Sequence, residues 1–240
     1  MRILITNDDG INAPQLIPLA RWAQQFGEVT VVAPKYEQSG KSHGFQIRDP
    51  FECKQVDLIP GITVWSVDST PADCIRFAVL GKGMEFDLVI SGVNRGLNIG
   101  SDVLYSGTVA AVFEAARLGI KGIALSTEPH SYDRSTEHLD RVWDFLQRYD
   151  LLNKGGLWNI NIPAEVKGFR ITRQGGPYFS DDFAPIGNDL YQAQGKPIFV
   201  PCGDPELDTD STLSGWITVT PLTLIRTDME LFKELSALPV

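Results

Sequence analysis

Two adjacent carboxylates stand directly after the first apolar run of the chain. The strand-like segment 2–6 is followed by Asn7, Asp8, Asp9 and Gly10. Neighbouring carboxylates repel one another unless a cation or a proton compensates their charge. Residues just beyond the carboxyl end of a strand lie where an open α/β sheet binds its ligands. The first hypothesis is therefore a divalent-metal site, and the alternative is a polar loop that caps the next helix.

Two further loops with oxygen-bearing side chains also follow apolar, strand-like segments. Ser39 lies after the segment 29–33, and Asn94 lies after the segment 87–91. Because the carboxyl ends of parallel strands meet at one edge of a sheet, we expect both loops to lie near Asp8. Carboxylate, hydroxyl and amide oxygens suit Mg²⁺, Mn²⁺ or Ca²⁺ better than metals that prefer thiolate or imidazole ligands.

A phosphate-binding helix start is predicted shortly after Asn94. Ser106 and Thr108 are residue types that cap helices, and Gly107 allows a ligand to approach the backbone closely. The exposed N–H groups of a helix N-terminus bind phosphate readily, although the same residues also suit a simple cap. Beside a divalent cation, this helix start predicts phosphate chemistry.

Strand-like and helix-like segments alternate along most of the chain. This alternation predicts an α/β fold, with a mostly parallel sheet and helices on both of its faces. The predicted strands are residues 2–6, 29–33, 62–67, 87–91, 122–126, 157–162, 168–173 and 216–221. The predicted helices are residues 14–26, 71–80, 107–118, 136–149 and 228–235.

The regular alternation of strand-like and helix-like segments ends at about residue 155. The segment 177–201 is rich in Gly, Pro, Asp and aromatic residues, which predicts a projecting hairpin arm with a turn at 186–190. We expect one domain over residues 1–240, with a core of about 1–165 and a C-terminal extension of about 166–240.

Composition and charge limit the classes of function. Hydrophobic residues make up 43% of the 240 residues, which is ordinary for a packed core. The net charge of −9 argues against a nucleic-acid polymer as partner, because such binding depends on clustered cations. The three cysteines form no C-x-x-C pair, which is typical of reduced thiols. With no signal-peptide pattern and no apolar run of membrane-spanning length, we expect a cytoplasmic protein without a membrane partner.

Eight segments of the chain are recognisable together: residues 5–11, 32–34, 38–40, 70–74, 90–100, 105–111, 157–163 and 217–222. In this order they resemble the SurE family, the survival-protein-E 5′(3′)-nucleotidases. The resemblance is dense from residue 1 to about 130 and resumes twice near the C-terminus.

The resemblance implies a metal-dependent phosphatase that hydrolyses nucleoside 5′- and 3′-monophosphates and, in some members, short polyphosphate. It also implies a Rossmann-like core, one divalent ion per subunit (Mg²⁺ or Mn²⁺, with Ca²⁺ as a further occupant), and a homodimer or homotetramer built through the C-terminal arm. By position, the family's metal ligands fall on Asp8, Asp9, Ser39 and Asn94, and its phosphate-binding residues fall on Ser106, Gly107 and Thr108 with Asn98 nearby.

The roles of individual residues leave alternatives open. Asp8 and Asp9 are the catalytic candidates, and the sequence leaves open which of them acts as a general base. His43 is either a substrate contact, acting as an acid for the leaving group, or a structural hydrogen-bonding residue. Arg95 either contacts the substrate or is a solvated loop arginine.

A signalling module is the alternative from a different class of protein. Receiver domains also place an acidic pair after the first strand, and they bind Mg²⁺ without turning over a substrate. Asp68 is the one tempting phosphate acceptor, and the loops with Asn94 and Ser106 would have no role. The chain is also about twice the length of such a unit. The sequence therefore favours the phosphatase.

Overall fold

The strands of the chain form one large central sheet and one small hairpin sheet, in a computed structural model that describes residues 1–238. Within this range the strands are β1 (Arg2–Thr6), β2 (Glu28–Pro34), β3 (Cys53–Val56), β4 (Thr63–Val67), β5 (Leu88–Arg95), β6 (Lys121–Thr127), β7 (Leu157–Ile162), β8 (Gly168–Ile171), β9 (Phe179–Gly187), β10 (Leu190–Pro197) and β11 (Trp216–Pro221).

The helices connect these strands and lie on both faces of the sheet. The α-helices of residues 1–238 are α1 (Leu16–Ala23), α2 (Pro71–Arg76), α3 (Gly107–Arg117), α4 (Leu139–Arg148), α5 (Leu151–Lys154), α6 (Asp208–Leu213) and α7 (Met229–Ser236). Shorter 3₁₀ segments cover Gln24–Phe26, Gly100–Tyr105 and Pro129–His138, and a π-helical turn covers Phe77–Gly81.

The strand order of the main sheet is β3-β4-β2-β1-β5-β6-β7-β11-β8. The six strands from β4 to β7 in this order are mutually parallel, whereas β3 and β11 run antiparallel to β4 and β7. The chain first builds outward from β1 through β2 and β4, and then returns to add β5 on the other side. The strand order therefore reverses between β1 and β5, and ligands of open α/β sheets bind at such a point.

Side chains of the central strands alternate between two hydrophobic layers. Ile3 and Ile5 of β1 pack into the layer that contains α1 and α4, and Leu4 packs into the layer that contains α2 and α3. All three side chains are fully buried. The predicted α/β fold, with a mostly parallel sheet and helices on both faces, is confirmed.

Two helix starts follow from cap residues that are visible in the sequence. The Thr70 hydroxyl accepts a hydrogen bond from the Asp73 amide at 3.2 Å, and Pro71 occupies the first turn of α2. The Ser106 hydroxyl accepts a bond from the Val109 amide at 3.1 Å and caps α3. Both helices begin where their caps predicted.

The predicted hairpin arm is confirmed as β9 and β10, which pair with each other in the small antiparallel sheet. Its turn places Asn188 and Asp189 at φ of 53° and 57°, a left-handed conformation that these two residue types tolerate well. By contrast, β8 and β11 extend the edge of the main sheet. The division of the chain at about residue 165 stays a prediction, and residues 239–240 of the expected domain lie outside the described residues.

None of the helices in residues 1–238 has both the length and the apolar character that crossing a bilayer requires.

Candidate active site

Asp8 lies where β1, the loop after β2 and the start of α3 meet. Its side chain is 3% exposed, and its Oδ1 atom accepts a hydrogen bond from the Thr108 hydroxyl. Its backbone carbonyl accepts a bond from the Gln38 amide at 2.7 Å. The structure thus brings together two candidate residues that are 100 positions apart in the sequence.

Glycine is required at the point where α3 approaches Asp8. A Cβ atom on Gly107 would lie 2.9 Å from the Asp8 Cβ and 3.3 Å from the Gln38 carbonyl oxygen. The start of the helix can therefore contact this carboxylate only because residue 107 has no side chain.

The remainder of the acidic turn is held by Asn7. The Asn7 side-chain amide donates to the Gly10 carbonyl at 2.9 Å, and its Oδ1 accepts from the Gly10 amide at 3.1 Å. Gly10 has a φ of 93°, and a Cβ there would lie 3.1 Å from the Tyr36 carbonyl carbon. Asn7 thus orders the turn and leaves the two carboxylates as its chemically available groups.

Asp9 faces the cleft between β1 and β5. Its Oδ2 atom accepts a hydrogen bond from the Arg95 amide at 3.2 Å and lies 3.4 Å from the donating Tyr132 hydroxyl. Asp9, Ser39, Arg95 and Tyr132 all line one cavity of about 470 Å³. Sequence reasoning missed Tyr132, because the 3₁₀ segment Pro129–His138 reads as an unpatterned polar loop.

Burial and like charge make both carboxylates reluctant to ionise. Burial raises the pKa of Asp8, the hydroxyl and amide of Thr108 lower it, and the nearby charge of Glu37 raises it again. Burial, followed by the charge of Asp8, raises the pKa of Asp9 to about 6. A divalent cation between these groups would relieve both the desolvation and the repulsion.

The chemistry of the neighbouring donors also fits a hard cation. The Ser39 hydroxyl donates to Glu37 Oε1 at 2.7 Å at the edge of the cavity. A bulge in β5 precedes Asn94, whose Nδ2 donates to the Gly96 carbonyl at 2.8 Å, so the oxygen is the end of the amide suited to a ligand. Within residues 1–238 no group of three or more His, Cys, Asp or Glu side chains could hold a metal. A cation here would therefore depend on hydroxyl and amide oxygens as well as on the two carboxylates.

Asn98 is fixed between the loop after β5 and the next two strands. Its Nδ2 donates to the Ser126 hydroxyl at 2.7 Å, and its backbone amide donates to Asn161 Oδ1 at 2.8 Å. The side-chain amides of Asn159 and Asn161 donate to its carbonyl at 2.7 and 3.0 Å. The buried Asn98 thus anchors the segment that leads into α3, and its contact with phosphate stays a prediction.

Comparison with known proteins identifies the family. A family model described as Survival protein SurE matches residues 3–181. The chain belongs to the SurE family.

Members of the SurE family resemble this chain along nearly its whole length. The 5′-nucleotidase SurE of Fervidobacterium nodosum is 36% identical over 255 residues, which cover 99% of this chain and 97% of that protein. The 5′-nucleotidase SurE of Petrotoga mobilis is 37% identical over 249 residues, covering 99% and 98%. A crystal structure of the SurE protein from Aquifex aeolicus is 31% identical, with a TM-score of 0.80 and 98% of both chains covered.

In this SurE chain, His43 lies away from the Asp9 cavity and contacts α3. Its Nε2 atom is 2.9 Å from Glu114 Oε2. Arg117 and Arg76 also donate to Glu114 Oε1, at 2.7 and 3.2 Å. This geometry supports the structural alternative for His43, whereas Arg95 lines the Asp9 cavity and both of its predicted roles stay open.

Glu114→Gln is expected to destabilise this SurE fold at neutral pH. Although burial raises the pKa of Glu114, hydrogen bonds from His43 and Arg117 and the charges of both lower it to about 2, against an ordinary value of 4.5. Because the folded pKa is depressed, the carboxylate stabilises the fold above about pH 4.5, and this contribution is lost as the pH falls toward 2. A shift of this size corresponds to about 3 kcal/mol.

Urea unfolding between about pH 7 and pH 3 measures this effect, and the difference between the two proteins is expected to shrink on acidification. Glu85→Gln is the control, because Glu85 is 78% exposed and pairs with Arg2 at the surface. It is expected to cost less than about 1 kcal/mol. A difference for Glu114→Gln that is the same at every pH would contradict the assignment.

Proposed function

We propose that this protein is a divalent-metal-dependent phosphomonoesterase that hydrolyses nucleoside 5′- and 3′-monophosphates to nucleoside and phosphate. The observation that carries the proposal is the contact between buried Asp8 and the start of α3, which sets carboxylate oxygens beside a helix N-terminus. The name 5′-nucleotidase SurE, shared by relatives that match 99% of the chain, supports the same reaction.

Asp8, Asp9, Ser39 and Asn94 would hold one divalent cation per subunit, Mg²⁺ or Mn²⁺, with Ca²⁺ as a further occupant. The raised pKa values of the two carboxylates and the oxygen-only donor set support this assignment. When bound, the cation polarises the phosphoryl group and balances the charge of the transition state.

The charge of the cavity explains why a phosphate would need that cation. Asp9, Glu37 and Asp133 line the cavity, and Arg95 is the one cationic residue lining it in the part of the chain that the structure describes. An anionic phosphate monoester would be repelled by three carboxylates at short range. Arg95, at the rim, would meet the phosphate or the nucleoside.

The start of α3 would hold the phosphate oxygens. The first N–H groups of a helix have no partner within the helix, and they point toward a bound anion. Ser106 Oγ accepts from the Val109 amide, so its own proton is available for a phosphate oxygen. Gly107 presents bare backbone, Thr108 positions Asp8 through its hydroxyl, and Asn98 fixes the loop that precedes them.

Assembly through the C-terminal arm belongs to the same proposal, together with a cytoplasmic location and activity on short polyphosphate. The β9–β10 hairpin exposes the large apolar side chains of Phe183, Ile186 and Tyr191. Helix α7 buries none of its described side chains. Such surfaces support a homodimer or homotetramer.

A panel of substrates tests the proposal directly. We expect phosphate release from nucleoside 5′- and 3′-monophosphates with Mg²⁺ or Mn²⁺, slower release from short polyphosphate, and loss of all three activities in EDTA that added metal restores. Phosphate release that continues unchanged in EDTA would contradict the metal site. Binding of Mg²⁺ without any turnover would instead favour the receiver-like module.

A further inference from the structure

Two cavities of about 450 and 660 Å³ lie side by side along the outer face of α3. They share His43, Phe113 and Arg226, and we call them together the α3 groove. In the part of the chain that the structure describes, no residue lines both this groove and the cavity around Asp9.

Helical geometry separates the α3 groove from the proposed active site. Ala110 and Phe113 line the groove, and their spacing of three residues places them on one face of α3, while the cap residue Ser106 lines the groove at the start of the helix. Thr108, which donates to Asp8, is two residues from Ala110 and therefore lies on the opposite side of the helix. A ligand in the groove would therefore lie mainly on the face of α3 turned away from Asp8, and Ser106, proposed above to meet the phosphate, marks the boundary between the two sites.

The α3 groove is cationic, although the whole chain carries a net charge of −9. Arg76, Arg117, Arg173 and Arg226 line it. Its acidic lining residue, Glu114, is 2% exposed and already forms ion pairs with Arg76 and Arg117. Arg173 is also paired, with Asp204 at 2.7 Å and Glu206 at 3.6 Å, although its side chain remains 60% exposed. Because Arg226 is exposed as well, the groove still presents guanidinium groups to solvent. Guanidinium forks match phosphate oxygens in geometry and charge.

Aromatic rings lie beside these cations. Phe45 is 45% exposed, and the guanidinium of Arg76 lies 4.6 Å from the centre of its ring. Phe113 lines both parts of the groove. Aromatic rings and guanidinium planes are the surfaces on which nucleobases stack. The volumes are those of a small-molecule pocket rather than of a flat protein interface.

We propose that the α3 groove is a second ligand site, which binds a nucleoside diphosphate or triphosphate beside the proposed active site, with Ser106 at the boundary between the two. The arginines neutralise the phosphates, and Arg226 is the arginine that lines both cavities. The base packs against Phe45 and Phe113. Charge complementarity selects an anion, and the adjacent rings select one that carries an aromatic group.

Titration of ADP into the full-length protein in EDTA, followed by calorimetry, tests the proposal. EDTA suppresses turnover and leaves the Asp9 cavity acidic, so that cavity repels the nucleotide. We expect saturable binding of one ADP per chain, weakened at least tenfold by Arg226→Glu, as for the loss of one charge-assisted hydrogen bond. Arg226 is the suitable target because Arg76 and Arg117 also hold buried Glu114. Equal unfolding temperatures for both proteins confirm that the fold is intact.

Two charge reversals elsewhere serve as matched controls. Arg21→Glu lies on α1, which packs on the other face of the sheet, and Arg95→Glu lies at the rim of the Asp9 cavity. Both variants are expected to bind ADP as the parent protein does. Equal weakening by Arg21→Glu would show nonspecific attraction, and selective loss in Arg95→Glu would place the ligand in the active site.

Three further results would overturn the proposal. No saturable ADP binding in EDTA would exclude the site. If pyrophosphate bound as tightly as ADP, Phe45 and Phe113 would contribute nothing to recognition of the base. A change of oligomeric mass in Arg226→Glu without ADP binding to the parent protein would show that a second copy of the chain fills the groove. Each result can occur while metal-dependent phosphate release remains intact, so failure of this proposal is distinct from failure of the proposed function.

Discussion

Asp8→Asn is expected to lower metal-dependent phosphate release from a nucleoside 5′-monophosphate by about 10³-fold, as for the loss of several kcal/mol of charge stabilisation. Asparagine preserves the shape of the side chain and its contact with Thr108, but it removes one of the two charges that would hold the cation. Phosphate release at saturating Mn²⁺ measures the rate. Full activity in this variant would remove Asp8 from the active site.

The same substitution separates a catalytic loss from unfolding. Burial raises the pKa of Asp8, so the charged form is disfavoured in the metal-free fold. We therefore expect Asp8→Asn to unfold at the same temperature as the parent protein or higher, while the stabilisation that Mn²⁺ gives the parent disappears. Asp133→Asn is the control, because exposed Asp133 lines the same cavity outside the proposed ligand set. It is expected to change the rate by less than about fivefold, in line with ~1 kcal/mol for an exposed charge.

Gly107→Ala is the second substitution with a large expected effect. The new Cβ would lie 2.9 Å from the Asp8 Cβ and 3.1 Å from its Oδ2, so the start of α3 must move away from the carboxylate. A displacement of about 1 Å at a reacting centre costs about 10² in rate. We expect a loss of this size in the release of phosphate, together with about 1–3 kcal/mol of lost stability from the added methyl group.

Gly107→Ala is expected to destabilise the fold, whereas the same substitution in most helices stabilises it, so the direction of the change tests the close contact with Asp8. Alanine ordinarily stabilises a helix by about 0.5–1 kcal/mol relative to glycine, because glycine loses more backbone entropy on folding. Gly176→Ala is the control, since a Cβ there meets nothing within 4 Å. It is expected to leave activity unchanged. A stable and fully active Gly107→Ala protein would show that α3 can move away from Asp8 without consequence.

Most of the main sheet could be predicted from local patterns. Parallel strands buried on both faces require continuous apolar runs, and β1, β2 and β5 each have one. The cap residues Thr70 and Ser106 located two helix starts correctly.

Strand β3 was missed, because Cys53–Val56 is a partly exposed edge strand that carries no such run of apolar residues. Helix α6 was missed because its sequence, Asp208–Leu213, is polar although all but its last residue are buried.

The candidate site was predicted in composition but not in its contacts. Sequence reasoning placed Asp8 and Thr108 at one sheet edge, and the structure joins them by a hydrogen bond. It did not find Tyr132, because the segment Pro129–His138 has no recognisable pattern. It left the role of His43 open between two alternatives. The contact of His43 with Glu114 depends on how a loop packs against a helix that is distant in the chain, and no local pattern shows this.

The sequence by itself determined the chemistry that this protein has available. Residue types fix which oxygens can bind a cation, apolar runs fix which segments become strands, and cap residues fix where helices begin, because these properties are local. Only the tertiary structure decided which of these groups meet. Whether Asp8 is desolvated by α3, whether Asp9 faces a cavity beside Arg95, and whether four arginines line one groove depend on atoms brought together from distant parts of the chain. Burial and Coulomb interactions act through space rather than along the sequence, so no local pattern can encode them.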